Sequence, residues 1–210
     1  MTKKRKIGEI LKRLSKAYRM PMTALKFRNP FELLVATILS AQATDAHINK
    51  VTDELFRKYR DINDFAACPL SELQNDLSSV NFYKNKSKSI QGAAREIIDK
   101  YGSEVPASME ELIKLPGIAR KTANVILSNA FGINEGIAVD THVKRLSGRL
   151  GLSEHTDPVR IEQDLMKETP QKEWSALSHL LIFHGRQICK ARNPDHENCQ
   201  LFDICPSNSD

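Results

Sequence analysis

A chain of 210 residues with 40% hydrophobic content is long enough to bury one sizeable core or two small helical lobes, and its composition excludes a disordered protein. Lys and Arg total 31 against 26 Asp and Glu, giving a formal charge of +5; this suits a polyanionic partner without identifying one. No stretch has the apolar core and small-residue cleavage site of a secretory signal, and the longest apolar run, residues 31–39, is interrupted by Glu32 and too short to span a bilayer. A cytoplasmic protein with no membrane partner is expected.

Apolar residues recur at helical spacing almost throughout and period-two alternation is hard to find, so the predicted fold class is all-α. The basic residues 3–6 open an amphipathic stretch and read as a solvated helix start. Asn29-Pro30 fits N-cap and first helical position ahead of the apolar run 31–39, and Thr44 opens a helix with Ile48, Val51, Leu55 and Phe56 on one stripe. Cys68, in a helical stretch, reads as a small buried apolar residue. Ile90, Ala93, Ala94, Ile97, Ile98 and Tyr101 form another stripe, closed by Gly102. Ser108 and Glu111 make a capping box for a short helix ending at Leu115, Pro116-Gly117 reverses the chain, and a helix runs from about residue 119 to 130. Asp140 or Thr141 caps the next helix, Asp157-Pro158 begins another, and residues 174–186 read as the last long one.

The chemistry concentrates at the reversal. Gly117 permits a backbone geometry closed to other residues, and the amides at the following helix start lack intrahelical acceptors, so they can hold a phosphate; an ordinary Pro-Gly connection would look the same. Lys121, one turn on, is either a solvated surface lysine or a nucleophile. A free lysine with a pKa near 10.4 is almost fully charged at neutral pH, so a nucleophilic Lys121 needs burial, the helix start or a neighbour such as Arg120 to favour its neutral form. Asp140 is a good N-cap, contributing about 1 kcal/mol in that role, and a carboxylate held there stays ionised. It is then able to stabilise positive charge on a sugar C1′ as a base departs.

Several ordered motifs carry a wider likeness: Leu39-Ser40-Ala41-Gln42-Ala43-Thr44-Asp45, the hairpin through Asn124, the segment 137–142, and His184-Gly185-Arg186 leading into cysteines. In these the chain resembles, over nearly its whole length, the endonuclease III family of DNA glycosylases within the helix-hairpin-helix and Gly/Pro-Asp superfamily. The resemblance implies two lobes, a six-helix lobe at 22–134 with the hairpin and Lys121, and a second at 1–21 and 135–210 with Asp140 and the cysteines, with duplex DNA between them. It implies that Lys121 forms a Schiff base with C1′ of the damaged nucleotide, that Asp140 assists, and that β-elimination then breaks the strand. By the same resemblance Gln42 enters the space left by a flipped base, Phe82 wedges against the opposite strand, Gly117 and Ala119 meet the backbone, and Lys84, Lys86 and Lys88 meet phosphates. Asn81 stands where the family has glycine, and asparagine tolerates a left-handed turn there.

Cys189, Cys199 and Cys205 match three of the family's four [4Fe-4S] ligands, and His196 stands at the position of the remaining one. A cluster with a histidine ligand, a cluster held by the three cysteines alone with His196 in a polar turn, a tetrahedral zinc ion, and no stable metal all remain open on this ligand set. The implied function is a monomeric, nucleoid-associated bifunctional glycosylase and apurinic/apyrimidinic lyase acting on oxidised pyrimidines. The alternatives are a monofunctional mismatch glycosylase, disfavoured by Lys121, and a non-catalytic DNA-binding helical protein.

Overall fold

A computed structural model describes residues 1–18 and 23–208. In chain order they form α1 (Lys3–Ala17), α2 (Pro30–Ser40), α3 (Asp45–Lys58), α4 (Ile62–Ala67), α5 (Leu70–Asp76), α6 (Tyr83–Tyr101), α7 (Met109–Leu112) and α8 (Arg120–Ile126), which widens into a π-helical turn (Leu127–Phe131). Then follow α9 (Thr141–Arg149), α10 (Pro158–Glu168) and α11 (Trp174–Gln187), with 3₁₀ turns at Gln171–Glu173 and Phe202–Ile204. No strand occurs among the described residues, so the all-α expectation holds. None of the described helices is long and apolar enough to cross a membrane.

The contacts divide the chain into two compact units, Thr23–Ile133 and the pair of segments Met1–Met22 and Asn134–Asp210. The lobe boundary expected at residues 21 and 22 lies outside the described residues. In the unit Thr23–Ile133, α2 is buried on nearly every side because its sequence is apolar nearly all round. Its single acidic residue, Glu32, is also buried, and the main-chain N–H of Arg28 (2.7 Å) and the Arg28 guanidinium (2.6 and 2.8 Å) donate to its carboxylate. Those bonds offset a desolvation that an unpaired carboxylate would not survive. Helix α6 lies against α2, α4 and α5, offering Ile90, Ala93, Ala94 and Ile97 to the core.

Local caps start the helices where the sequence expects them. Asn29 accepts from the N–H of Glu32, Thr44 from that of His47, and Asp157 from that of Arg160. The capping box at Ser108 forms by half: Ser108 accepts from the N–H of Glu111, but the Glu111 carboxylate turns away to accept from Tyr101 Oη and from Lys114 Nζ (2.8 Å). Cys68 also departs from expectation. It ends α4 as the C-cap residue and is only half-buried, its thiol donating to the carbonyl of Phe65.

The second unit packs α1, α9, α10 and α11 around Ile7, Ile10, Leu14, Val143, Leu146, Leu177, Leu180 and Leu181. Arg13 of α1 ties the C-terminal loop to this core, donating to both carboxylate oxygens of Asp203 (2.5 and 3.1 Å) and to the carbonyl of Gln200.

Lys114, and after it Tyr101, hold the Glu111 carboxyl below its usual value of 4.5. A depressed carboxylate contributes stability that is complete above that value and is lost as pH falls through the lower folded value. Melting curves from about pH 5 downward should therefore show a loss of stability that is smaller in Glu111→Gln, whose clasp has no proton to gain.

Candidate active site

The hairpin between α7 and α8 is built on α6. Leu115 and Ile118 are buried on either side of it, and the N–H of Ile118 closes the turn on the carbonyl of Leu115 (3.2 Å). Gly117 has φ +80°, and a Cβ there would lie 2.6 Å from Cβ of Ser89 in α6, closer than real Cβ contacts come. Pro116 rests beside Gly92 one turn further along α6. Glycine is thus required twice at position 117, once by conformation and once by contact.

Helix α8 begins after Ala119, which is extended and offers no side-chain cap to the first-turn amides. Lys121 stands in that first turn and is exposed. Of the influences expected to favour a neutral amine, burial is therefore not one that the folded chain supplies. Gly117 and Ala119 are exposed beside it in sequence.

Gln42 and Phe82 are both exposed, and both adopt left-handed backbone conformations with φ +59°. For residues with a side chain this costs about 1–2 kcal/mol each. The left-handed residue of the second loop is thus Phe82 and not Asn81. Phe82 is 60% exposed, an uncommon setting for a phenyl ring that a core role would have buried. Asn81 instead uses its side chain: Nδ2 donates to the carbonyl of Gln42 (3.1 Å) and so joins the two loops.

Lys84 and Lys88 are exposed on α6, as phosphate contacts must be. Lys86 is not. It is only 7% exposed, and its ammonium donates to the carbonyls of Leu39 (2.8 Å) and Ala41 (2.6 Å) at the end of α2. Burial pushes its pKa down, while the carbonyl end of a helix favours a cation. The expected phosphate contact is corrected accordingly. The spacing carried the signal: Lys86 precedes Ile90, Ala93, Ala94 and Ile97 by 4, 7, 8 and 11 residues, which places it on the apolar stripe, whereas Lys84 and Lys88 share another face.

Asp140 belongs to the other unit and caps α9. Its Oδ1 accepts from the N–H groups of His142 and Val143, both at 2.8 Å, so the cap leaves Oδ2 for other work. The same unit holds the cysteines. Cys189, Cys199 and Cys205 line one cavity of about 130 Å³ with His196, Arg149 and Phe202. Burial pushes the Cys199 thiol up, and the nearby Cys189 and Cys205 add to the shift. Among the described residues no three His, Cys, Asp or Glu side chains converge tightly enough to hold one metal ion. Thiols spaced around a cavity fit a multi-iron cluster, whereas a tetrahedral zinc needs every thiolate about 2.3 Å from a single point.

Two supports of this cavity carried no role in the sequence reading. Arg149 Nη1 donates to Cys189 Sγ (3.2 Å) and to the carbonyl of Lys190 (2.8 Å). His184 is buried between Tyr18 Oη (3.0 Å, at Nδ1) and Cys199 Sγ (3.5 Å, at Nε2), and burial pushes its pKa down to about 4. A basic residue in a last helical turn and a histidine in an apolar stretch give no sign of a distant thiol.

Residues 35–171 match the profile of the HhH-GPD superfamily base excision DNA repair proteins, and residues 189–205 match the iron-sulfur binding domain of endonuclease III. Endonuclease III of Synechocystis sp. is 52% identical over 206 residues, covering 98% of this chain and 94% of that protein. Endonuclease III of Bacillus subtilis is 52% identical, covering 84% of this chain and 81% of that protein. This chain belongs to the endonuclease III family. The structure of a non-covalent endonuclease III-DNA complex superimposes with a TM-score of 0.93 at 47% identity, covering 99% of this chain and 97% of the other. A trapped endonuclease III-DNA covalent intermediate gives the same TM-score and identity, covering 99% and 98%. A thermostable thymine-DNA glycosylase, at 23% identity and a TM-score of 0.84, shares the fold.

The endonuclease III iron-sulfur match takes in Cys189, His196, Cys199 and Cys205, all four of which line the one cavity. The superfamily match takes in Gln42, Phe82, Lys121 and Asp140. Gly117→Ala tests the seat of the hairpin. It should lower stability in urea denaturation by about 1–3 kcal/mol, from positive-φ strain together with the collision at Ser89.

Proposed function

We propose that this endonuclease III family member is a bifunctional DNA glycosylase and apurinic/apyrimidinic lyase that excises oxidised pyrimidines from duplex DNA in base excision repair. It acts as a monomer on chromosomal DNA, cytoplasmic and nucleoid-associated. The observation that carries the reading is Lys121, an exposed amine in the first helical turn after a Gly117 hairpin, in a chain about half identical to endonuclease III of two bacteria. A purely hydrolytic glycosylase needs no amine at that position.

A base stacked in a duplex cannot be reached, so the nucleotide is extruded, at a cost of a few kcal/mol in stacking and pairing. Gln42 fills the vacated space and Phe82 wedges the opposite strand, while Lys84, Gly117 and Ala119 hold the backbone. Binding of the duplex over the exposed Lys121 removes water from its amine and favours the neutral form. The amine attacks C1′ as the glycosidic bond breaks; the base leaves with the bonding electrons, and the proton shed by the amine reaches it through water. Ring opening then gives a Schiff base between Nζ and C1′. Loss of a C2′ proton drives β-elimination, which breaks the C3′–O bond and releases the 3′ phosphate. Asp140, with Oδ2 outside its cap, balances the positive charge that develops at C1′.

Cys189, Cys199, Cys205 and His196, which line one cavity, would hold the [4Fe-4S] cluster. When bound it cross-links residues 189–205 and takes no part in the steps above. Lys190 and Arg192 in that loop are exposed, and their charge suits DNA phosphates. A neutral imidazole in place of one thiolate raises the cluster's reduction potential.

Lys121→Gln should bind duplex DNA yet give no borohydride-trapped crosslink, and should cut an abasic strand at least about 1,000-fold more slowly. Full retention of cutting would remove Lys121 from the mechanism. Asp140→Asn keeps an equally good cap, so its stability should change by less than about 0.5 kcal/mol while base excision slows about 100-fold or more. For the cluster, iron and acid-labile sulfide per protein should fall in His196→Ala. In His196→Cys they should persist, with a lower midpoint potential. Unchanged iron and potential in both variants would show that His196 is not a ligand.

A further inference from the structure

Two side chains that enter a duplex do so together only if their loops keep a fixed spacing before DNA arrives. Gln42 and Phe82 sit on loops 40 residues apart, and each holds a φ of +59° that neither residue type favours. Something must keep both there. The carbonyls on either side of Gln42 are each bonded to a donor from the Phe82 segment: Ala41 O to Lys86 Nζ at 2.6 Å, and Gln42 O to Asn81 Nδ2 at 3.1 Å. Lys86 also holds Leu39 O, one residue before α2 ends, at 2.8 Å. A third tie runs between His47 Nε2 and the carbonyl of Ser79 at 3.2 Å.

The donors flank the wedge residue itself. Asn81 precedes Phe82, and the carbonyl of Phe82 accepts from the N–H groups of Asn85 (3.0 Å) and Lys86 (3.1 Å) to begin α6. Lys86 therefore grips Phe82 through its main chain and the Gln42 loop through its side chain. Being buried against those carbonyls, its ammonium cannot serve a phosphate without releasing them.

We propose that Lys86 and Asn81 are positioning residues that lock the Gln42 loop and Phe82 into one pre-formed wedge, so that filling the flipped-out gap and prising apart the opposite strand happen as a single act. The proposal rests on the reading that Gln42 and Phe82 enter the duplex. Its physical basis is that ordering done in the free protein need not be done on binding. Releasing either tie lets Gln42 and Phe82 relax towards right-handed backbone and misplaces both tips. A site already lacking its base demands less of the wedge than a stacked, paired lesion.

The test uses the full chain and Asn81→Ala, an exposed position where loss of the side chain leaves the core intact, with Lys86→Met as a second variant. Two duplexes are compared, one carrying a single thymine glycol beside 2-aminopurine and one carrying a preformed abasic site. The expected result for Asn81→Ala is an unchanged thermal midpoint and loss of the 2-aminopurine fluorescence rise on binding. Base excision should slow about tenfold, with cutting at the abasic site within about twofold. In a Gln42→Ala background, Asn81→Ala should add little, because it acts through Gln42. Equal slowing on both duplexes, or full additivity with Gln42→Ala, overturns the proposal, since general loosening has those signatures. If Gln42→Ala and Phe82→Ala themselves leave fluorescence and excision unchanged, the insertion reading fails instead. If they matter and neither Asn81→Ala nor Lys86→Met does, the insertion reading stands and the lock is wrong.

Discussion

Contact between the hairpin backbone and α6, with no room for a Cβ at Gly117, sets the geometry of the unit that carries Lys121. Ser89, the residue against which Gly117 rests, follows Phe82 by seven positions, or about 10 Å along a helix axis. One rigid rod thus spaces the turn that leads into Lys121 from the left-handed, exposed Phe82. Glycine at 117 and the small residues Ser89 and Gly92 make that spacing short, and a larger side chain at any of the three would lift the hairpin from its seat.

The same economy governs charge. Glu32 is buried only because Arg28 and its own helix start surround it with donors, and Lys86 only because the carbonyl end of α2 faces it. Asp140 divides its two oxygens, giving Oδ1 to the amides of α9 and leaving Oδ2 outside the cap. For Lys86 and Asp140 a helix end supplies the partner, since that is where main-chain groups lack intrahelical bonds. The cysteine loop follows the pattern too, its carbonyls taken up by Arg145 and Arg149 of α9.

Most of the helix starts were legible because a cap and its helix are neighbours in the chain. Asn29, Thr44, Ser108, Asp140 and Asp157 each bond an amide two or three residues on, and such bonds can be read without knowing what lies across the core. Glu111 shows the limit. Its type and position satisfy the capping-box rule, but Tyr101 and Lys114 offer better partners, one of them from the end of α6. The short helices α4 and α5 have too few turns to display a period, and only Phe65 and Leu73 in the core reveal why they form.

By itself the sequence determined the helical class, the hairpin, the Asp140 cap and, through its ordered motifs, the family, because these depend on local backbone chemistry and on residue order. Tertiary structure alone decided that Lys121 stays exposed, that Phe82 takes the left-handed turn, that Lys86 faces carbonyls, and that His196 lines the cavity of the cysteines. Those outcomes turn on which groups meet across distances of tens of residues. Spacing sets Lys86 on the buried stripe apart from Lys84 and Lys88, but which carbonyls its ammonium meets is known only once the chain is folded.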